Sequence, residues 1–218
     1  MNILFDLDGT LIDTGIGIKK GIEFAVNAMG LDYQEDLSDL FIGPPLKDSF
    51  VQFYHMSGDD AEIAVKKYRE YYGNIGLFQY EIYDGVVAML KKLQDNQYDL
   101  YVATSKPEEY AKRILEHAGM RSYFRAVIGA TFDKDRNTKT EVIEYALNMS
   151  IRNKGASIMV GDRKHDVLGG KTFGMRTIGV TYGYGSREEL ETARADVIID
   201  TPISIVDGIV YVEENNNE

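Results

Sequence analysis

The stretch Met1-Asn2-Ile3-Leu4-Phe5-Asp6-Leu7-Asp8-Gly9-Thr10-Leu11-Ile12-Asp13-Thr14 opens the chain as an apolar run that ends in two carboxylates, a glycine and a threonine. Ile3, Leu4 and Phe5 read as a buried strand, and Gly9 marks the break into a loop. Asp6 and Asp8 sit two apart, so extended geometry would place both side chains on one side of a sheet edge. Two like charges that close repel unless a cation or a proton lies between them. Such a pair suits Mg²⁺, a hard ion that takes oxygen ligands and works beside phosphates. The competing reading is a plain turn, for which Asp-Gly is a common pair.

Working outward, the texture after the first strand turns helical. Ile18, Ile22, Val26 and Met29 share a helix face that Gly30 would close. Gly43-Pro44-Pro45 breaks the chain, Leu46, Phe50 and Phe53 suggest a short helix, and Ala61, Val65, Tyr68 and Tyr72 a longer one starting near Ser57 or Asp59. From about Tyr83 strands and helices alternate. Strands are predicted at 100–103, 126–129, 157–161, 177–180 and 197–199, with helical stretches between them around 86–93, 107–119, 141–149 and 167–173 and a last one near 205–209. Ser186 and Glu189 have the spacing of a capping box. Alternation of this kind means an α/β fold with a doubly wound parallel sheet. Residues 1–14 and 81–218 would form that core, and 15–80 a helical insertion.

Composition narrows the function classes. The 218 residues are 44% hydrophobic and 27% charged, as in ordinary globular proteins, and long enough to bury a real core. No apolar run exceeds strand length, so no membrane span is expected. The start lacks a basic region followed by an apolar one, so it does not read as a signal peptide. The absence of cysteine removes disulfides and thiolate chemistry and points to the cytoplasm. A net charge of −11 argues against polymeric nucleic acid, yet a local cation can hold one small phosphorylated metabolite. Nothing in the sequence reads out an oligomeric state.

In a doubly wound sheet the site lies beyond the carboxyl ends of the strands. After the first strand come Asp6 and Asp8. After 100–103 come Thr104, Ser105 and Lys106, and after 157–161 come Asp162, Arg163, Lys164, His165 and Asp166. Lys139 lies in the loop before the 141–149 helix or in its first turn. Each has an ordinary alternative: Thr104 and Ser105 as helix caps, Lys139 as a solvated lysine, Asp162 and Asp166 as a cap and a first-turn acid. His165 suits Mg²⁺ poorly, because that ion prefers oxygen. Their joint placement at strand ends favours a site.

Phe5-Asp6-Leu7-Asp8-Gly9-Thr10, then Thr104, Lys139 and Gly161-Asp162-Arg163-x-x-Asp166 together resemble the four motifs of the haloacid dehalogenase superfamily of phosphohydrolases, over nearly the whole chain. The helical insertion resembles the cap of the subgroup with phosphoglycolate phosphatase and β-phosphoglucomutase. Ala103-Thr104-Ser105-Lys106-Pro107, Ile42-Gly43-Pro44-Pro45-Leu46 and Gly183-Tyr184-Gly185 resemble its 5′-nucleotidase-like or phosphoglycolate-phosphatase-like branch.

The resemblance implies a Rossmann-like core with a cap, and hydrolysis of a phosphomonoester through an aspartyl phosphate. Asp6 would be the nucleophile and Asp8 the acid and base. Mg²⁺ would be held by Asp6, Asp162, the backbone carbonyl of Asp8, and Asp166 directly or indirectly. Thr104, Lys139 and the backbone N–H groups of Leu7 and Ser105 would bind the phosphoryl oxygens, and Gly9 would let the chain turn close. Gly43 and Lys47 are the expected substrate-reading residues. Tyr68, Arg69 and Tyr72 either meet a nucleotide or pack the cap. A phosphosugar mutase and an idle phosphate-binding domain are the alternative functions.

Overall fold

A computed structural model describes residues 1–42, 44–133, 135–149, 151 and 157–215. The chain divides into two compact units, Met1–Asp13 with Ile82–Glu218, and Thr14–Glu81.

The first unit is built on β1 (Asn2–Phe5), whose four residues are all buried. A short β2 (Ile12–Asp13) precedes the point where the chain leaves this unit. The second unit holds α1 (Gly15–Ala28), α2 (Glu35–Ser38), α3 (Leu46–Tyr54) and α4 (Gly58–Tyr72). Ser57 starts α4 by accepting a hydrogen bond from Asp60 N, and Gly30, at φ +74°, follows the end of α1. Ala61, Ala64, Tyr68 and Tyr72 form the buried face of α4. Tyr68 and Tyr72 stack at 5.1 Å, and Tyr68 lies so close to Gly21 of α1 that a Cβ there would come within 2.8 Å of it. Both tyrosines therefore pack the helices of their own unit.

The chain returns through β3 (Glu81–Ile82) and then alternates. In order come α5 (Val86–Asp95), β4 (Asp99–Pro107), α6 (Glu108–His117), β5 (Ala126–Ala130), α7 (Lys139–Met149) and β6 (Ser157–Gly161). There follow α8 (Lys164–Thr172), β7 (Arg176–Val180), α9 (Arg187–Thr192), β8 (Val197–Ile199) and α10 (Ile205–Glu214). The sheet order is β5-β4-β1-β6-β7-β8, and the pairings are parallel. The first strand is therefore central, between β4 and β6, and its carboxyl end faces the point where the winding reverses. Leu4 packs with Val142, Ile143 and Ala146 of α7 and with Met159 of β6. Phe5, its neighbour on the alternate face, meets the edge of Phe124 at 6.4 Å.

Three local readings differ from the periodicity in ways that bear on the site. The 100–103 strand continues to Pro107, with a register irregularity between Thr104 and Pro107, so Thr104 and Ser105 lie within the strand and cap no helix. The helix expected from 141 begins at Lys139, because Thr138 and Glu141 close a capping box: Glu141 N donates to Thr138 Oγ1 and Thr138 N to Glu141 Oε2. The box expected at Ser186 and Glu189 forms only by half. Glu189 N donates to Ser186 Oγ, but the Glu189 carboxylate accepts from Arg163 Nε and Lys164 N.

Candidate active site

At the carboxyl end of β1, Asp6 is still tied to the sheet through its N–H, which donates to Val160 O. The chain then wraps round the Leu7 carbonyl, which accepts from the N–H groups of Thr10, Leu11 and Ile12. Gly9 makes this turn at φ +82° with its Cα against Asp162; a Cβ there would lie 2.2 Å from Asp162 Oδ2. Only glycine meets both conditions, the left-handed backbone and the close approach.

Four strand and helix ends bring the charged groups together. Asp6 follows β1, Asp162 follows β6, Asp166 sits in the first turn of α8, and Lys139 is the first residue of α7. All four are buried, as is Thr104. One carboxylate oxygen from each of Asp6, Asp162 and Asp166 lies within 4.8 Å of the others, a grouping able to hold a metal ion. Lys139 Nζ stands 2.8 Å from Asp6 Oδ1 and 2.7 Å from Asp166 Oδ1, and donates to Ala103 O at 2.9 Å. Asp166 Oδ2 accepts from Arg163 N, whereas its Oδ1 is buried and receives no aligned hydrogen bond. Three buried carboxylates beside one lysine leave excess negative charge that a hard divalent cation would balance, so the residues fit such an ion.

The electrostatics follow. Burial pushes the Asp162 carboxyl up to about 8, reinforced by the charges of Asp166 and Asp6 and opposed by the Tyr184 N–H and Lys139. Asp6 is also raised, by burial first, while Lys139 pulls it down. Burial works against the Lys139 ammonium, but Asp166 and Asp6 outweigh it and hold the lysine charged.

Asp8 is turned to a different partner. Lys106 Nζ donates to both its oxygens, at 3.0 and 2.8 Å, with the lysine side chain 6% exposed and the aspartate 21%. The two carboxylates of the opening motif thus each face a separate ammonium. Lys106 was visible in the sequence as the third residue of Thr104-Ser105-Lys106. Its spacing from Asp8 gave no signal that the two would meet. Of the expected phosphate-binding groups, Leu7 N donates to Asp6 Oδ1 at 2.7 Å, and Ser105 is exposed. Lys47, expected to read substrate, pairs with Glu62 of α4 at 2.6 Å, within its own unit. Gly43 lies outside the described residues.

The family profile described as haloacid dehalogenase-like hydrolase matches residues 3–180. The chain belongs to that family. A Pseudomonas aeruginosa protein named 5′-nucleotidase is 41% identical over 191 residues, 87% of this chain and 86% of its own length. Among solved structures of haloacid dehalogenase-like hydrolases and their kin, a Clostridium difficile protein provisionally named a phosphatase superposes with a TM-score of 0.89 at 42% identity, covering 95% of this chain and 97% of that one. Vibrio parahaemolyticus phosphoglycolate phosphatase is 27% identical over 208 residues, 91% of each chain. This haloacid dehalogenase-like hydrolase is an enzyme of the phosphatase class with a Rossmann-like core. Among its described residues no helix is long and apolar enough to cross a membrane.

Proposed function

We propose that the chain hydrolyses the phosphomonoester of a small metabolite, a nucleoside 5′-monophosphate first and a phosphoglycolate-sized ester second, by way of an aspartyl phosphate on Asp6. The observation that carries this reading is the buried grouping of Asp6, Asp162 and Asp166 around Lys139. The 5′-nucleotide preference rests on the 41% identity to the Pseudomonas protein of that name.

Asp6, Asp162 and Asp166, with the backbone carbonyl of Asp8, would hold Mg²⁺, which when bound supplies positive charge against the phosphoryl oxygens. Asp6 supplies the carboxylate that attacks phosphorus. Repulsion between a carboxylate and a phosphate oxygen at ~4 Å is about 1 kcal/mol per charge pair in water and several times that in a partly desolvated site. Lys139, beside Asp6, lowers that barrier by binding the phosphoryl group as well as the nucleophile. Thr104 lies within hydrogen-bonding reach of Asp6, where its hydroxyl can turn to a phosphoryl oxygen. Asp8 gives a proton to the leaving alkoxide and takes one from the water that opens the acyl phosphate, so one carboxyl serves both steps. Lys106 keeps that carboxyl in place between the two. The phosphoryl-handling residues all belong to the α/β unit, so choice among leaving groups is assigned to the helical unit.

Asp6→Asn tests the nucleophile: turnover of p-nitrophenyl phosphate should vanish while the circular dichroism spectrum is kept, and retained activity overturns the assignment. A panel of nucleoside monophosphates, sugar phosphates and phosphoglycolate, ranked by kcat/KM with Mg²⁺, tests the substrate. Glucose 6-phosphate formed from glucose 1-phosphate would instead assign a mutase.

A further inference from the structure

The segment joining β7 to α9 carries Tyr182-Gly183-Tyr184-Gly185, and it lies against the first loop of the same unit. Tyr182 donates its hydroxyl to Thr10 O at 2.9 Å, and Tyr184 donates its own to Asp13 Oδ1 at 2.6 Å. Between those anchors the Tyr184 N–H donates to Asp162 Oδ2 at 2.8 Å, while Thr10 Oγ1 reaches Asp162 Oδ1 at 3.4 Å. The glycines make the approach possible. A Cβ on Gly183 would fall 2.2 Å from Gly9 O, and one on Gly185 1.9 Å from Asp162 O. Tyr83 supports the segment from behind, its ring meeting Tyr182 edge-on at 5.0 Å.

We infer that residues 182–185 form a strap that sets the orientation of Asp162, and that Tyr182 and Tyr184 are positioning residues for metal binding. The hydroxyls bond Thr10 O and Asp13 Oδ1. Both pin the strap to the loop that carries Thr10, so the Tyr184 N–H and the Thr10 hydroxyl meet the two oxygens of Asp162 from fixed places. Metal affinity depends on such partners, which hold a ligand at the angle the ion needs. With a hydroxyl removed, the strap has fewer points of attachment and Asp162 gains rotational freedom that binding must then remove.

The inference rests on the reading of Asp6, Asp162 and Asp166 as a cation site, and the experiment separates the two. The full-length protein is titrated with Mg²⁺ alone by calorimetry and with Mn²⁺ by electron paramagnetic resonance, as wild type, Tyr184→Phe, Tyr182→Phe/Tyr184→Phe and Tyr98→Phe. The last removes a comparable bond, Tyr98 OH to Glu213 Oε2 at 2.6 Å, elsewhere in the unit. Tyr184→Phe should weaken binding about fivefold and the double variant about tenfold or more. Tyr98→Phe should stay within about twofold of wild type, although it loses a bond of the same kind. Wild-type affinity in both strap variants overturns the strap alone, as does equal weakening by Tyr98→Phe. A wild-type protein that takes up neither ion overturns the cation site and the strap with it.

Discussion

Lys106 grips both carboxylate oxygens of Asp8, at 2.8 and 3.0 Å, while Lys139 stands 2.8 Å from Asp6, two residues earlier. One motif therefore presents two carboxylates in different electrical settings. Asp6 is buried among acids and shares its lysine with Asp166, whereas Asp8 is partly exposed with a lysine of its own.

Lys106→Met should lower kcat/KM for p-nitrophenyl phosphate by about tenfold or more, because a misplaced acid–base group forfeits part of a 10²–10⁴-fold effect. Lys106 is buried and Asp8 partly exposed, so the stability loss should lie between about 1 kcal/mol, as for an exposed pair, and the about 3–5 kcal/mol of a fully buried one. Mg²⁺ affinity should change less than kcat/KM, because the Asp8 side chain is not among the groups that would hold the ion. Steady-state kinetics beside calorimetric Mg²⁺ titration checks this, and wild-type kcat/KM would remove Lys106 from the mechanism.

Lys139→Met leaves two buried carboxylates without their cation. Breaking a buried ion pair costs about 3–5 kcal/mol, which for a chain of this size lowers the melting temperature by roughly 10 °C. Mg²⁺ should recover part of that loss, since it can stand in for the missing charge. Thermal melts with Mg²⁺ and with chelator provide the measurement; equal melting of variant and wild type in chelator would contradict the buried pairing.

The Asp162 carboxyl, pushed up to about 8 by burial and then by Asp166 and Asp6, binds its proton more tightly folded than unfolded. The sign follows from linkage. Stability from this group is fully present below the unfolded value near ~4 and is lost as pH rises towards about 8. Metal binding must displace that proton, so Mg²⁺ affinity should rise with pH by up to about tenfold per unit, levelling above about 8. Titrations from acid to mildly alkaline pH check this, and a flat affinity would show that Asp162 is ionised throughout.

Gly9→Ala and Gly30→Ala form a controlled pair. Both glycines have positive φ, +82° and +74°, so each substitution carries about 1–2 kcal/mol of backbone strain. Around Gly30 nothing lies within 4 Å of the added carbon, whereas at Gly9 it would meet Asp162. Only Gly9→Ala should weaken Mg²⁺ binding, as calorimetry on the two variants will show. Equal effects would mean that the turn matters and the approach to Asp162 does not.

The alternation of strand and helix periods was legible because it is local. Each buried parallel strand must be apolar along its length, and each covering helix must be apolar on one stripe, whatever lies elsewhere. Joined to the rule that sites lie beyond the carboxyl ends of parallel strands, it led to the expectation of Asp6, Thr104, Asp162 and Asp166 at one sheet edge. Local polar contacts were harder to read. Thr138-x-x-Glu141 and Ser186-x-x-Glu189 have the same spacing, yet Glu189 spends its carboxylate on Arg163 and Lys164 across a gap of 25 residues or more.

By itself, then, the amino-acid order of this chain determined the parallel α/β fold, since this follows from periodicities shorter than a dozen residues. Tertiary structure alone decided which partner each acid received. Lys106 meets Asp8 from 98 positions away, and Tyr184 meets Asp13 from 171. No local pattern encodes such meetings, because they arise only when the sheet order β4-β1-β6-β7 brings distant loops to one edge.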